Sequence, residues 1–301
     1  MNEKRMIDMI YIAALIFVVG LLWFFFENYR SNHCLGVTRH DIVSGKIPEG
    51  FHNKKFVFLS DLHNNSFGKD NDKLFALLEK EAPDFILVGG DMLVSKRENA
   101  ADVAIPFMEK LASQYPVYCA NGNHEARLLW KEEEYPEAGE IYRTYIEHLK
   151  KAGICHLCDE TATISMGKDQ IYVSGLEPEQ RSYKKLELEP MTAEEIASKI
   201  GTKKNDFHIL LAHNPAYFET YAQWGADLTL SGHVHGGIMR LPILGGVIAP
   251  SYHLFPKYDA GAFSMGDQKM IVSVGLGSHS IKIRLFNPPK IDVITLKREG
   301  K

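Results

Sequence analysis

From Met9 to Phe26 every residue is apolar, aromatic or glycine. In hydrocarbon each backbone N–H and C=O must find a partner within its own segment, so an isolated run of this kind has one available conformation, the α-helix. At 1.5 Å per residue it spans roughly the 30 Å core of a bilayer. The run ends in Trp23-Phe24-Phe25-Phe26 and gives way to Glu27-Asn28-Tyr29-Arg30, an aromatic belt followed by polar residues, as expected at a membrane–water interface. A cleaved secretory signal has a shorter apolar region and a small-x-small cleavage site, and a helix on the surface of a soluble domain has a polar face; this run has neither. Residues 1–30 are therefore expected to be a single-pass membrane anchor. Lys4, Arg5 and the terminal amine precede the span and Arg30 and Arg39 follow it, which by a narrow margin favours a cytoplasmic N-terminus and an extracytoplasmic remainder.

Residues 31–53 carry Gly36, Gly45, Pro48 and Gly50 and read as a linker leading into an edge strand. Strand and helix patterns then alternate. Strands are expected at Lys55–Ser60, Asp84–Val88, Val117–Ala120, Thr161–Ser165, Gln170–Ser174, Phe207–Ala212 and Asp227–Leu230, with closing strands at 260–265, 269–274 and 291–296. Helices are expected at Asp70–Glu81, Ala100–Ser113 and Ile141–Ala152, near Met191, and from Asn214-Pro215 to Tyr221; an acidic, aromatic insertion at 130–140 is expected to overhang the site. Alternation of this kind implies parallel sheet, and ligands of such folds gather at the carboxyl ends of the strands. A net charge of −4 with scattered lysines offers no footprint for nucleic acid, and nothing in the sequence points to a protein partner.

Chemistry-bearing residues recur where the strands end. Ser60-Asp61-Leu62-His63 closes the first, and in extended backbone residues two apart share a side, so Asp61 and His63 project together. Later strands lead into Gly89-Gly90-Asp91, Gly122-Asn123-His124-Glu125, His213 and Gly232-His233-Val234-His235. Carboxylate, amide and imidazole suit borderline divalent ions such as manganese, iron or zinc, and no cysteine is needed. Two such ions sharing one carboxylate need about seven protein ligands, which Asp61, His63, Asp91, Asn123, His213, His233 and His235 can provide. Adjacent residues in extended backbone face opposite ways, so if Asn123 holds metal, His124 addresses the substrate. Cys155-His156-Leu157-Cys158 has the spacing of a redox or zinc motif but no second pair to complete it, and reads as structural or free thiols, with a disulfide as the alternative.

Taken in order, Asp61-x-His63, Gly90-Asp91, Gly122-Asn123-His124-Glu125, His213 and Gly232-His233-x-His235 resemble the five blocks of the calcineurin-like metallophosphoesterases, over about residues 54–298. The resemblance implies an α/β fold, a two-layer β sandwich flanked by helices, occupying 54–301. It implies two divalent metal ions, one held by Asp61, His63, Asp91 and His235 and the other by Asp91, Asn123, His213 and His233. Asp91 would bridge them and orient His124, and the catalytic residues would be His124 and Asp91. His213-Asn214-Pro215, the Gly-Gly after His235 and Arg284-Leu285-Phe286-Asn287-Pro288-Pro289 resemble the membrane-associated bacterial branch, which includes exported phosphodiesterases and a lipid A precursor pyrophosphatase; Lys290 stands where an acid is expected. The protein phosphatases of this superfamily carry Asp-Arg-Gly shortly after the bridging aspartate, whereas here Asp91 is followed by Met92-Leu93-Val94-Ser95-Lys96. The expected substrate is therefore a phosphodiester, envelope-borne or lipid-linked, although Lys96 and Arg127 could replace the missing clamp. A phosphomonoesterase and a non-catalytic metal-binding membrane protein are the alternatives, while a β-lactamase-fold hydrolase would need a clustered His-x-His-x-Asp-His run that is absent.

The orientation is testable in whole cells. Protease added outside intact cells is expected to cleave the part of the chain that follows the anchor; complete protection until lysis would place that part in the cytoplasm.

Overall fold

The computed structural model describes residues 3–95, 100–184, 188–237, 239–241, 243–249, 254–278 and 283–300. A long helix, α1 (Glu3–His33), is followed by β1 (Gly36–Ser44), β2 (Lys55–Leu59), α2 (Asp72–Glu81), β3 (Phe85–Val88), α3 (Ala104–Ala112), β4 (Val117–Ala120), α4 (Asn123–Trp130), α5 (Pro136–Lys151) and β5 (Cys155–Leu157). The second half contributes β6 (Glu160–Met166), β7 (Asp169–Gly175), α6 (Ala193–Ile200), β8 (His208–Leu211), α7 (Phe218–Trp224) and β9 (Leu228–Ser231). A two-residue hairpin pair, β10 (Arg240–Leu241) and β11 (Gly245–Gly246), precedes β12 (Gly261–Met265), β13 (Gln268–Val272) and β14 (Lys290–Arg298).

The strands form two six-stranded mixed sheets, ordered β1-β14-β2-β3-β4-β5 and β12-β13-β9-β8-β7-β6. Each has a parallel centre: β2, β3, β4 and β5 in the first, β7, β8, β9 and β13 in the second. Strand periodicity decides which side chain goes where. In the first sheet Phe56, Phe58, Phe85 and Leu87 turn toward the second, where Ile209, Leu211, Leu228 and Leu230 meet them. Their neighbours Val57, Leu59, Ile86 and Val88 turn the other way and pack on Leu74, Leu78, Phe107 and Leu111 of α2 and α3. On the far face of the second sheet Leu210 and Ala212 carry Ile196, Tyr221 and Trp224 of α6 and α7. The result is a β sandwich with helices on both outer faces, and it needs the nearly unbroken apolar runs that strands buried on two faces always show.

Two expectations change. The segment read as a linker, 31–53, contributes the edge strand β1, which lies parallel to β14 in a register running from Gly36 opposite Lys290 to Ser44 opposite Arg298. Its partner lies about 250 residues away in sequence, so the pairing that makes it a strand is invisible locally. The helix expected from Ile141 starts earlier, inside the 130–140 insertion: α4 runs to Trp130 and α5 starts at Pro136, where a proline costs no hydrogen bond. The insertion's outermost aromatic, Trp130, packs on Tyr183 with ring centroids 6.1 Å apart. The four cysteines are free, and Cys155 lies in β5.

Helix α1 is exposed over its apolar length, and its stretch Lys4–His33 is long and apolar enough to cross a membrane. Its last turns are attached to the sandwich. Buried Glu27 accepts hydrogen bonds from the Ser31 hydroxyl (2.7 Å) and the Phe286 N–H (3.0 Å), and the Arg284 N–H donates to Asn28 Oδ1 at 2.9 Å.

Phe56 is fully buried between the sheets with its ring stacked on Phe85, centroids 5.0 Å apart. Replacing it with alanine is expected to cost about 3–5 kcal/mol, the range for emptying an aromatic site in a packed core. Denaturant unfolding of the detergent-solubilised chain measures it. A loss below about 1 kcal/mol, typical of an ordinary surface change, would show that the two sheets are not packed through this ring.

Candidate metal centre

Five turns at the carboxyl ends of β2, β3, β4, β8 and β9 converge at one edge of the sandwich, and the sequence-predicted residues lie in them. The turns are stitched to one another. The Asp61, His63 and Asn64 N–H groups donate to the carbonyls of Gly90, Asp91 and Met92, so the β2–β3 ladder continues past the formal strand ends. The side chains do not converge by strand alternation, as expected from the sequence. Asp61, His63, Asp91, His233 and His235 all have left-handed backbone, with φ of 56°, 47°, 54°, 67° and 54°. Each such residue costs about 1 kcal/mol or more and persists only where its surroundings hold it. Glycine makes the crowding possible: a Cβ on Gly90 (φ 87°) would lie 1.9 Å from the Gly122 nitrogen, and one on Gly232 would lie 2.1 Å from Ser60 Oγ.

Asp61 and Asp91 are both buried, and each turns one oxygen toward a set of imidazoles. Asp61 Oδ1 lies 3.4 Å from His235 Nε2 and 3.7 Å from both His63 Nε2 and His213 Nε2. Asp91 Oδ2 lies 3.1 Å from His213 Nε2 and 3.8 Å from His63 Nε2, while its Oδ1 accepts from the His124 N–H at 2.6 Å. Two groups of ligand atoms result, Asp61/His63/His235 and Asp91/His213/His233, with a third, His63/Asp91/His124, between them; within each the atoms lie no more than 4.8 Å apart.

The donor set suits cations in its detail. His63 Nε2 and His235 Nε2 face each other at 3.0 Å. His235 Nδ1 and His213 Nδ1 stand 3.1 Å and 2.7 Å from the carbonyls of Gly277 and Gly89, so each carries a proton there and presents Nε2 to the centre. The Asn123 amide lies beside the same centre and can present either of its ends to it. With its oxygen inward it faces two acceptors, His233 Nδ1 at 2.9 Å and Asp91 Oδ2 at 3.3 Å, and its NH2 faces Arg127 Nη2 at 3.3 Å. Without a cation the amide would be more stable turned over, donating to both and accepting from Arg127. Oxygen-inward is favourable when a positive ion sits among the three acceptors.

Burial alone would raise the Asp61 and Asp91 carboxyls, but the surrounding imidazoles outweigh it and hold both below the usual carboxylate range. Burial drives His233 and His235 down to about 3, neutral and ready to ligate. His213 is different: burial would lower it, yet the charges of Asp91 and Asp61 push it up to about 10.

Sequence reasoning assigned no role to Glu125 and passed over Ser95 and Tyr183. Buried Glu125 accepts from the N–H groups of Asp91 (2.8 Å), Met92 (2.8 Å), Leu93 (3.3 Å) and Gly122 (2.9 Å), and so shapes the turn that presents Asp91. Ser95 N–H donates to His124 Nδ1 at 3.0 Å. The ring is therefore set by Ser95, while Asp91 takes the backbone N–H of His124, a correction to the expectation that Asp91 orients the imidazole. Asn123 and His124 open α4, so they diverge by helical rotation of about 100° and not by extended alternation. Tyr183 places its ring edge-on to His233, centroids 4.9 Å apart, and nothing in its polar loop distinguished it. Arg284 and Asn287 are scaffolding: the Arg284 guanidinium donates to the carbonyls of Val274 and Gly277, and the Asn287 amide to those of His235 and Gly237. Lys96 lies outside the described residues. Phe255 and Tyr258 line a cavity of about 310 Å³ beside His233, whereas Trp224 packs on His208 in the interior.

A protein-family model described as calcineurin-like phosphoesterase matches residues 54–237. The chain is 28% identical over 275 residues to the uncharacterized metallophosphoesterase YkuE of Bacillus subtilis, covering 90% of this chain and 89% of that protein. It is 27% identical over 244 residues to the phosphodiesterase YaeI of Escherichia coli, covering 80% and 82%. It is 21% identical over 324 aligned positions to the UDP-2,3-diacylglucosamine pyrophosphatase LpxG of Chlamydia muridarum, covering 94% and 95%.

The His213 shift gives a test with a definite sign. Its ordinary value is 6.5 and its folded value about 10, so the extra stability of the metal-free fold is complete below pH 6.5 and is lost as pH rises through 10. Between those limits a bound cation must displace this proton, while His233 and His235 have none to give. Calorimetric titration of manganese near neutral pH, in two buffers of different ionisation enthalpy, is expected to show release of about one proton per chain, with affinity rising with pH. Zero release would mean that His213 is already neutral.

Proposed function

The chain belongs to the calcineurin-like phosphoesterase family, and on that premise we propose that it is a dinuclear-metal phosphodiesterase of the cell membrane, acting on envelope or lipid-linked phosphodiesters or pyrophosphates. The observation that carries this reading is the position of Asp91 Oδ2, 3.8 Å from His63 on one side and 3.1 Å from His213 and 3.3 Å from the Asn123 amide on the other, whereas Asp61 Oδ1, which also faces both sides, lies nearest His235 at 3.4 Å and 3.7 Å from His213. One buried charge addressing two ligand groups is what a bridging residue requires. In this reading Asp61, His63, Asp91 and His235 hold one ion, and Asp91, Asn123, His213 and His233 hold the other. When bound, such a pair supplies an ionisable water and Lewis-acid neutralisation of phosphoryl oxygens.

The chain's own residues supply the rest. Because the Ser95 N–H occupies His124 Nδ1, the His124 proton resides on Nε2, and the ring stands edge-on to His63 with centroids 4.7 Å apart. Protonating Nδ1 as well would set two N–H groups against each other, so His124 is suited to donate a hydrogen bond from neutral imidazole to a phosphoryl or leaving oxygen. Arg127 lies at the Asn123 side of the centre, its Nη2 3.3 Å from the amide. A monoester brings close to two negative charges and gains most from a bidentate guanidinium clamp, whereas a diester brings one. The absence of Asp-Arg-Gly after Asp91 and the phosphodiesterase and pyrophosphatase names of two relatives both favour the diester. Residues 1–30 would anchor the enzyme, with the sandwich outside the cytoplasm.

With manganese bound, kcat/KM for bis(4-nitrophenyl) phosphate is expected to exceed that for 4-nitrophenyl phosphate. His124→Ala is expected to keep its metal content and lose roughly 10²- to 10³-fold in kcat, as when one preorganised donor is removed from a developing charge. A preference for the monoester overturns the substrate class, and failure to cleave either ester with both ions bound overturns the activity.

A further inference from the structure

Between the last turns of α1 and the metal centre lies a cavity of about 450 Å³. Phe25, Tyr29 and Asn32 of α1 form one wall; His63, Asn65 and Leu276 form the other. His63 thus belongs both to the ligand cluster and to a space that the apolar helix closes. The volume is of the size that holds a small organic ligand, and its lining is mixed, amides and imidazole beside aromatic and aliphatic surface.

The helix is a fixed wall. Besides the bonds from Glu27 and Asn28 to residues 284–286, the Ser278 hydroxyl donates to Asn32 Oδ1 at 3.3 Å, and Trp23 packs on Phe286 with centroids 5.4 Å apart. The attachment leads to a ligand: Arg284, whose N–H holds Asn28, donates through its guanidinium to the Gly277 carbonyl, which also receives His235 Nδ1.

Position along α1 sets the level of the cavity relative to a bilayer. The apolar run ends at Phe26, and the wall residues extend to His33, about 10 Å farther along the axis at 1.5 Å per residue. The wall therefore runs from the edge of the hydrocarbon through the headgroup layer, about 5–8 Å deep on each face, to its aqueous side. Apolar surface continues on the same side, since Phe286 touches α1 and its neighbour Leu285 pairs with Met239 at the root of the β10–β11 hairpin, whose tip exposes Ile243 and Leu244.

Building on the catalytic reading above, we propose that the last two turns of α1 are a wall of the substrate site. The substrate is a membrane-resident amphiphile whose phosphoester is presented to His63 through this cavity while its hydrocarbon part stays in the bilayer. A tether alone would have no need of a helix end bonded to residues 278 and 284 beside the centre. A water-soluble diester would reach the metals but leave this wall unused.

The full-length chain in phospholipid nanodiscs tests the idea with two esters that share a reacting bond, decyl 4-nitrophenyl phosphate and methyl 4-nitrophenyl phosphate. In Phe25→Ala and Tyr29→Ala the ratio of kcat/KM for decyl over methyl is expected to fall about tenfold, as for lost contact with one or two methylenes. Leu22→Ala, on the same helix but outside the cavity, is expected to leave the ratio unchanged. A second readout needs no turnover: in a Cys34→Ser background, decyl methylphosphonate is expected to slow maleimide modification of Tyr29→Cys, and methyl methylphosphonate is not. An unchanged ratio in both wall variants, or modification that the decyl compound does not slow, overturns the proposal. If neither ester is cleaved by the unaltered chain, the catalytic reading fails, and protection of Tyr29→Cys still decides whether the cavity takes an amphiphile.

Discussion

Two carboxylates, Asp61 and Asp91, are buried with little water to solvate them, and the rest of the site is arranged around that electrostatic problem. Unpaired ions in such a setting are prohibitively costly, so the charge must be met either by protons on neighbouring imidazoles or by metal ions. In the chain by itself His213 takes the first role, held protonated by the charges around it. The inward Asn123 oxygen and the neutral His233 and His235 fit the second. The same buried charges thus explain why the centre would bind cations strongly and why binding would release a proton.

Holding those charges in place requires strained backbone, and the sandwich supplies the restraint. Five ligand-bearing residues sit in left-handed conformations that non-glycine residues seldom adopt. They are fixed by the continued β2–β3 ladder, by glycines that allow turns to touch, and by Glu125, which collects four N–H groups around the Asp91 turn. Burial and the Asp91 charge push the Glu125 carboxyl up to about 7. Cations beside Asp91 would offset that repulsion, so the metals and the turn that presents Asp91 stabilise each other.

The apolar helix belongs to this arrangement as well. Arg284 is buried with its guanidinium bonded to backbone carbonyls of the turn beside His235, and its own N–H is held by Asn28 of α1. A sequence block that served only to refine the family placement is therefore the joint between the apolar helix and the edge that carries the candidate metal ligands.

Local sequence determined the alternation of strands and helices, the apolar helix and the identity of the ligand-type residues, because periodicity, uniform apolarity and Gly-flanked Asp, Asn and His motifs are properties of short stretches. It did not determine β1, whose partner β14 lies at the other end of the chain. Nor did it determine how Asp61 and His63 converge, since extended alternation and left-handed turns bring side chains two apart to one side by different routes, and the choice depends on hydrogen bonds that the Asp61 and His63 N–H groups donate to the carbonyls of Gly90 and Asp91. The tautomer of His124 was decided by Ser95, and the cavity beside His63 by the docking of α1. These are contacts between segments far apart in the chain, whose energies exist only once the two sheets have packed and brought the turns within hydrogen-bonding distance.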